Sequence, residues 1–424
     1  MTSRRHRICI LSGNHLCHNP RVIKEATALA RGGHEVEVLG GWVDSSLKSR
    51  DQELNSTSPF RFTPVVDFTH ERLGAQAKAF ASRLASKVGM VGHRYGGVSS
   101  RWQLGLKGVA LAQAGRARAA DLYIAHSETS LVAVERLRRV GHRIGVDMED
   151  WFSEDLLPEA RRSRPVRILR DLEEAAIRSG AFASCPSHTM SEALADAYRC
   201  VPPIVIYNAF PWADRQDIDG ADADRKSREL PSIHWYSQTL GLGRGLEDLI
   251  AALPMVRTDA EIHLRGHLAA GFERWLSEHL PPRWRARTFL HELVPNDRLL
   301  SRIAEHDIGF AGEMKYCRSR DLTVTNKILH YLLGGLAIVA SDTAGQAEVA
   351  GQAPGAVLLY PSGNAGALAD RLDLILSSPE RMRAAKAAAL VAAERTFCWE
   401  RQEGRLLDGV ARALESALAN AVSR

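Results

Sequence analysis

The sequence has no apolar run approaching the roughly 18 residues that a membrane-spanning helix needs, so it reads as a chain that folds in water. Its six cysteines, Cys9, Cys17, Cys185, Cys200, Cys317 and Cys398, are widely scattered. None forms a CxxC pair or has a histidine at zinc-ligand spacing, which argues against a zinc ribbon or a disulfide framework. Reduced thiols in a cytosolic compartment are expected. There is no repeat of solenoid period and no low-complexity tract. Overall charge is nearly balanced, formally +5, and gives no reason to expect nucleic-acid binding. The sharpest absence is local: between Glu71 and Asp121 there is no acidic residue. Nine cations fill that interval, Arg72, Lys78, Arg83, Lys87, Arg94, Arg101, Lys107, Arg116 and Arg118, with Phe80, Leu84, Val88, Met90, Trp102, Leu104 and Leu106 interleaved. A basic amphipathic stretch of this kind, 72–118, suits an anionic membrane surface, although two ordinary helices with basic outer faces read the same way.

What is present fits a globular protein. With 45% hydrophobic and 25% charged residues, 424 residues suffice for two cores of about 150–200 residues each. The opening MTSRRHRICILSG has too short an apolar stretch for a secretory signal and reads as a first strand at 7–12 ending at Gly13. Asn19-Pro20 caps a helix whose Val22, Ile23, Ala26, Leu29 and Ala30 share a face, and Gly32-Gly33 closes it before the strand 34–41. Strands follow at 121–127, 142–150, 181–187 and 203–210, around helices at 128–140 and 165–179. The charged segment 213–230 reads as a linker, and its run Asp214, Asp217, Asp219, Asp222, Asp224 as a solvated tether rather than a metal-binding DxD. Strands then resume at 232–238, 260–266, 286–292, 307–312, 336–342 and 356–361. Strand–helix alternation in both halves predicts an α/β protein with two doubly wound parallel sheets.

In such sheets ligands bind beyond the carboxyl ends of the strands, so the strand-to-helix loops carry the candidate site. The first is Gly13, Asn14, His15, with Arg21 and Lys24 in the helix that follows. Cations oppose the positive end of a helix dipole unless an anion is near. Either a ligand or a carboxylate such as Glu25 answers that need. His126 ends the strand DLYIAH, and Asp147, Glu149 and Asp150 end the next, where carboxylates can orient a hydroxyl or act as general base. The turn Gly241-Leu242-Gly243-Arg244-Gly245 lacks the last glycine of a dinucleotide fingerprint, yet still brings an arginine to a helix start. Thr325, Asn326 and Lys327 open a helix that ends at Gly334-Gly335, placing N–H groups, dipole and ammonium where a diphosphate needs them.

These motifs together resemble the GT-B superfamily, and most the family 4 glycosyltransferases. The opening strand, loop and GHEVEVL strand, DLYIAH, RGLEDLIAAL, NKILHYLLGGLAIVASDTAGQAEV and FCWERQ follow that family's order over about 7–412. The resemblance implies two Rossmann-like domains facing a cleft: 1–212 for the acceptor, 231–399 for the nucleotide sugar, and a last helix at about 400–424 crossing back to the first domain. It implies catalytic roles for His126, Asp150 and Glu149. It places the donor diphosphate on Gly243, Arg244, Thr325, Asn326 and Lys327, and ribose or sugar on His330, Gly345 and Glu348. Arg244 stands where a lysine is usual, and Leu322 and His330 stand where the family carries two glutamates. The implied reaction is transfer of a sugar, UDP-linked by preference, to a hydroxyl acceptor in polysaccharide, glycolipid or glycoconjugate synthesis. It is expected to retain the anomeric configuration, without metal or other cofactor, in the cytoplasm or on the inner membrane face. A nucleotide-sugar 2-epimerase and a partner subunit of reduced turnover remain alternatives.

Overall fold

The computed structural model describes residues 5–69, 84, 87–89, 100–104, 106–162, 164–225 and 228–422. Much of the basic stretch, including Arg72, Lys78, Arg83 and Arg94, lies outside the described residues. The chain forms two compact units, one of Met1–Pro186, Met190–Ile206 and Glu403–Arg424, the other of Ser187–Thr189 and Tyr207–Gln402.

The first unit is built on seven parallel strands: β1 (Arg7–Leu11), β2 (Glu35–Trp42), β3 (Arg61–Asp67), β4 (Leu122–Ala125), β5 (Ile144–Asp147), β6 (Phe182–Cys185) and β7 (Ile204–Val205). They lie in the order β3-β2-β1-β4-β5-β6-β7, so the sheet reverses direction of growth between β1 and β4. Continuous apolar runs are what a sheet covered on both faces requires, and Ile8 to Leu11 are all buried. Helix α1 (Pro20–Arg31) starts where the sequence places it, with the Asn19 side chain accepting from the Val22 N–H at 3.1 Å. Its Val22, Ala26 and Leu29 are fully buried.

Sequence reasoning missed β3. Pro64 sits in the middle of RFTPVVD and argues against a central strand. β3 is an edge strand, and its pairing with β2 shifts register beside Pro64, between Gly40 and Gly41. A missing N–H costs little there. Helices α2 (Glu128–Arg139), α3 (Val166–Ser179) and α4 (His188–Tyr198) follow.

The second unit has six parallel strands: β8 (Ser232–Leu240), β9 (Glu261–Leu268), β10 (Thr288–His291), β11 (Ile308–Ala311), β12 (Ala337–Ser341) and β13 (Val357–Tyr360). The order β10-β9-β8-β11-β12-β13 is that of a dinucleotide-binding sheet, with its switch point between β8 and β11. Helices α5 (Leu246–Ala252), α6 (Asn326–Gly334) and α7 (Ala344–Gln352) follow β8, β11 and β12. The final helix, α8, spans Trp399–Val422, and from Glu403 on it belongs to the first unit. Gly409 allows that contact, since a Cβ there would come within 2.6 Å of Ile204.

The acidic run is exposed at Asp214, Asp217 and Asp222, but it is tied to the second unit at Asp219 and Asp224. Asp219 pairs with Arg302 at 2.6 Å, and Asp224 is held by Arg265, His291 and His306. Arg225, 3% exposed, bonds Asp307 at 2.9 Å and the Glu305 carbonyl at 3.2 Å. The sequence count of charges could not anticipate cations waiting on β9 and on the helix Asn296–Ala304.

Candidate functional site

In the first unit the loop after β1 is locked from within. His15 is buried, its Nδ1 2.7 Å from Asp51, while Nε2 accepts the N–H groups of Val43 and Asp44 at 2.9 and 3.0 Å. The ring proton therefore sits on Nδ1, donated to Asp51, which also accepts from Trp42 Nε1 and the Cys17 N–H. His15, Cys17 and Asp51 lie at metal-ligand distances, but a ring that accepts at Nε2 has no lone pair to give at Nδ1. His15 shapes the loop; Gly13 turns it at φ +70°, and Asn14 is exposed.

Arg21 is answered by protein carboxylates rather than left open to a ligand. Its guanidinium bonds both oxygens of Asp147, pairs with Glu25 at 3.1 Å and donates to the Ile206 carbonyl at 2.9 Å. His126 joins the same cluster, with Nε2 3.1 Å from Glu25 and Nδ1 3.1 Å from Glu149. The His126 side chain is closed off from solvent, 0% exposed. Burial alone disfavours a charged ring, yet Glu25, with Glu149 and Asp147, outweighs it and raises the His126 pKa well above the usual histidine range. Burial also pushes the Glu25 carboxyl up, whereas at Asp147 the pull of Arg21 overrides burial and holds it low. A second ligand-like group, Glu25, His126 and Asp147, is thus already filled by the guanidinium of Arg21. Glu149 is the member that reaches solvent, at 26% exposure, and it accepts from Asn19 Nδ2 at 3.0 Å. Asp150 and Lys24 are half-buried beside it in sequence and on α1. The loop after β5 is held by buried Glu173, which accepts from Ser153 N–H at 2.9 Å and Tyr198 Oη at 2.7 Å.

The second unit gathers its candidates at the carboxyl ends of β8, β11 and β12. Arg244 is exposed and donates to Ser237 Oγ at 3.2 Å. The preceding Gly243 N–H, which the sequence offers to an anion, is taken by Glu247 of α5. Gly245 needs its lack of side chain, since a Cβ would stand 2.4 Å from the Gly312 carbonyl. Lys327 extends from the first turn of α6 over the Trp235 ring, 5.3 Å from its centre, and bonds Glu313 at 2.6 Å. Among the described residues no side chain caps this turn. The Thr325 hydroxyl, buried at the N-cap, has no hydrogen-bond partner among the described residues. Asn326 accepts from Asn208 at 2.9 Å. His330 lies one turn along from Lys327, against Tyr236 and Phe210. Gly345 is a packing glycine, with a would-be Cβ 2.4 Å from the Thr323 carbonyl. Glu348 is engaged by the N–H groups of His188 and Thr189 and by Tyr207 Oη, at 2.9, 2.9 and 2.6 Å.

Glu313, Tyr236 and Phe210 escaped the sequence reading. Glu313 was within reach of the rule that found Asp147 and Glu149, because it follows the apolar strand DIGFAG directly.

No protein-family model matches the chain, and no curated protein matches it in sequence. Solved structures do. Two parallel Rossmann-like sheets, the second with the dinucleotide-binding strand order, define the class: this is the GT-B glycosyltransferase fold. The chain is similar to a glycosyltransferase from Rickettsia africae (12% identity, TM-score 0.66, 97% of this chain against 99% of that one). It is similar to HepE of Anabaena in complex with UDP and glucose (16%, TM-score 0.67, 97% against 100%). A third likeness is to sucrose-phosphate synthase of Thermosynechococcus elongatus (14%, TM-score 0.69, 97% against 100%).

Proposed function

We propose that the protein is a glycosyltransferase that takes a sugar from a nucleoside diphosphate, UDP by preference, and passes it to a hydroxyl acceptor. The observation that carries this reading is the uncapped first turn of α6 with Lys327 at the carboxyl end of the second sheet, within a GT-B fold. HepE, of the same fold, is solved with UDP and glucose, which supports uridine as the base. As the glycosidic bond breaks, negative charge grows on the departing diphosphate. Lys327, Arg244 and the α6 N–H groups would stabilise that charge more in the transition state than before it. A diphosphate would compete with Glu313 for the Lys327 ammonium. His330, Gly345 and Glu348 belong to the ribose and sugar end of this reading, Glu348 and Gly345 by fixing α7 rather than by direct contact.

On the acceptor side, Glu149 is the group of the cluster that can meet a hydroxyl, with Asp150 next to it. His126, flanked by carboxylates at both nitrogens, serves as a fixed cation that orients Glu149. Transfer with retention and without a divalent metal is part of the proposal, as is an acceptor in cell-surface polysaccharide, glycolipid or other glycoconjugate synthesis. So is a cytoplasmic site of action, reversibly at the inner membrane face through 72–118.

A thermal-shift screen against UDP, GDP, ADP and dTDP tests the donor. A ligand at about 100 times its dissociation constant adds about 2.7 kcal/mol of stability, and UDP should give the largest shift, with or without EDTA. No shift with any of the four would sink the proposal.

A further inference from the structure

Glu313 stands at the exit of β11, where several strand ends meet. Its N–H donates to Ser341 Oγ of β12 at 2.8 Å, and its carbonyl accepts from Ser362 Oγ, just after β13, at 3.1 Å. Gly312 beside it packs on the turn after β8, with a would-be Cβ 3.2 Å from the Gly245 carbonyl. The backbone at 313 is therefore fixed from three sides.

The Glu313 side chain is 11% exposed, and among the described residues its carboxylate has one hydrogen-bond partner, the Lys327 ammonium at 2.6 Å. Tyr236 on β8, Tyr331 on α6 and Tyr360 on β13 lie near enough to feel its charge. Burial pushes all three phenols up and the Glu313 charge adds to it, so they keep their protons. The other charges around are answered elsewhere. Asp248 accepts from Tyr360 Oη at 3.0 Å, Asp342 pairs with Lys315 at 2.9 Å, and Arg244 donates to Ser237 Oγ.

A phosphate that reaches Lys327 shares the ammonium with Glu313. Two acceptors on one ammonium lie about 4–5 Å apart, close enough for like charges to repel. How strongly depends on the phosphate. In a free nucleoside diphosphate the outer phosphate has a second ionisable oxygen, with a pKa of about 6, and carries nearly two charges at neutral pH. In a sugar diphosphate that oxygen is esterified, and one charge remains.

We propose that Glu313 is a specificity-determining residue of the donor site: facing the outer phosphate across Lys327, it favours the singly charged phosphate of a sugar diphosphate over the doubly charged phosphate of the free product. When the bond between sugar and phosphate oxygen breaks, its electron pair stays on that oxygen. The second charge appears beside Glu313 and drives the product out. This rests on the donor reading above.

Calorimetry on the full-length protein at pH 8 and pH 5.5 tests it, with UDP and with UDP-glucose, UDP-galactose and UDP-N-acetylglucosamine, the tightest of the three serving as the sugar diphosphate. Glu313→Gln keeps the shape and removes the charge. At pH 8 it should tighten UDP about tenfold, the effect of freeing one charged hydrogen bond at Lys327, and tighten the sugar diphosphate clearly less. At pH 5.5 the outer phosphate of UDP takes a proton, and the gain for UDP should fall to that of the sugar diphosphate, which itself stays constant. Should the variant fail to fold, wild type decides: its affinity for UDP relative to the sugar diphosphate should rise as pH falls from 8 to 5.5. Equal gains for both ligands at pH 8, a gain for UDP that ignores pH, or a wild-type ratio that moves the other way overturns the proposal. So does a wild type that binds UDP and none of the three sugar diphosphates. Wild type that binds none of the four nucleotides overturns the donor reading and takes the specificity with it.

Discussion

The positions of Lys327 and Arg244 at strand-to-helix turns were legible in the order of strand, glycine and helix. Their partners were not, because Glu313 lies fourteen residues from Lys327 along the chain and meets it only through the sheet. The pair makes Lys327→Ala a substitution with two separable effects. Removing the ammonium should weaken UDP about ten- to a hundredfold, the effect of a charged hydrogen bond at 1.5–3 kcal/mol. It also leaves the Glu313 carboxylate, 11% exposed, without its counter-charge, at about 1–3 kcal/mol of stability. Adding Glu313→Ala should restore the melting temperature while UDP affinity stays low. If the double variant melts no higher than Lys327→Ala, the ion pair does not stabilise the fold. His126 teaches the converse. Its place at a strand end was legible, but the carboxylates that flank both ring nitrogens come from α1 and from the loop after β5, and no local pattern pairs them with it.

At the scale of elements, strands and helices were legible wherever a covered parallel strand reads as an unbroken apolar run. They failed where an edge strand tolerates proline, as in β3 with Pro64, and where charge was taken for solvation, as at Asp219 and Asp224. The basic stretch 72–118 is the element whose role rests on composition alone. Near an anionic bilayer each Lys or Arg contributes about 1 kcal/mol, reduced as salt shortens the screening length. Vesicle co-sedimentation at low salt should pellet the protein with anionic but not neutral lipid, and added salt should release it. Equal pelleting with both lipids would rule the membrane role out.

For the whole molecule, the two units carry opposite acid–base liabilities. In the second, His234, His263, His291 and His306 cluster at β8, β9, β10 and the entry to β11, with rings in successive contact. Burial lowers the pKa of all four, His263 to about 3. They are neutral when folded but take protons near pH 6.5 when unfolded, so their stability is full above that pH and is lost as pH falls below it. In the first unit, burial raises the Glu173 carboxyl from 4.5 to about 7. A raised acid contributes fully below its unfolded value, and the contribution is lost as pH rises through the folded one. His126, raised by its carboxylates, runs the same way. Calorimetry should therefore show two transitions, with the second unit losing ground to the first between pH 8 and pH 5, and Glu173→Gln should narrow the change. A separation that does not respond to pH would refute this assignment. None of it was legible in advance: sixteen histidines in a list give no hint that four share a core.

The last helix has a consequence for how the protein is made. Residues 403–424 complete the first unit, and Leu406, Val410 and Leu414 are buried in it. Translation delivers the seven strands of that unit first, then the whole of the segment Tyr207–Gln402, and only afterwards the helix that covers Ile204. At about 5–20 residues per second the nascent sheet waits roughly 10–40 s for its final wall. The second unit, begun later, is finished earlier. Through that interval the ribosome carries one folded unit and one with its β6–β7 flank bare, and that flank is where a chaperone would find its apolar target.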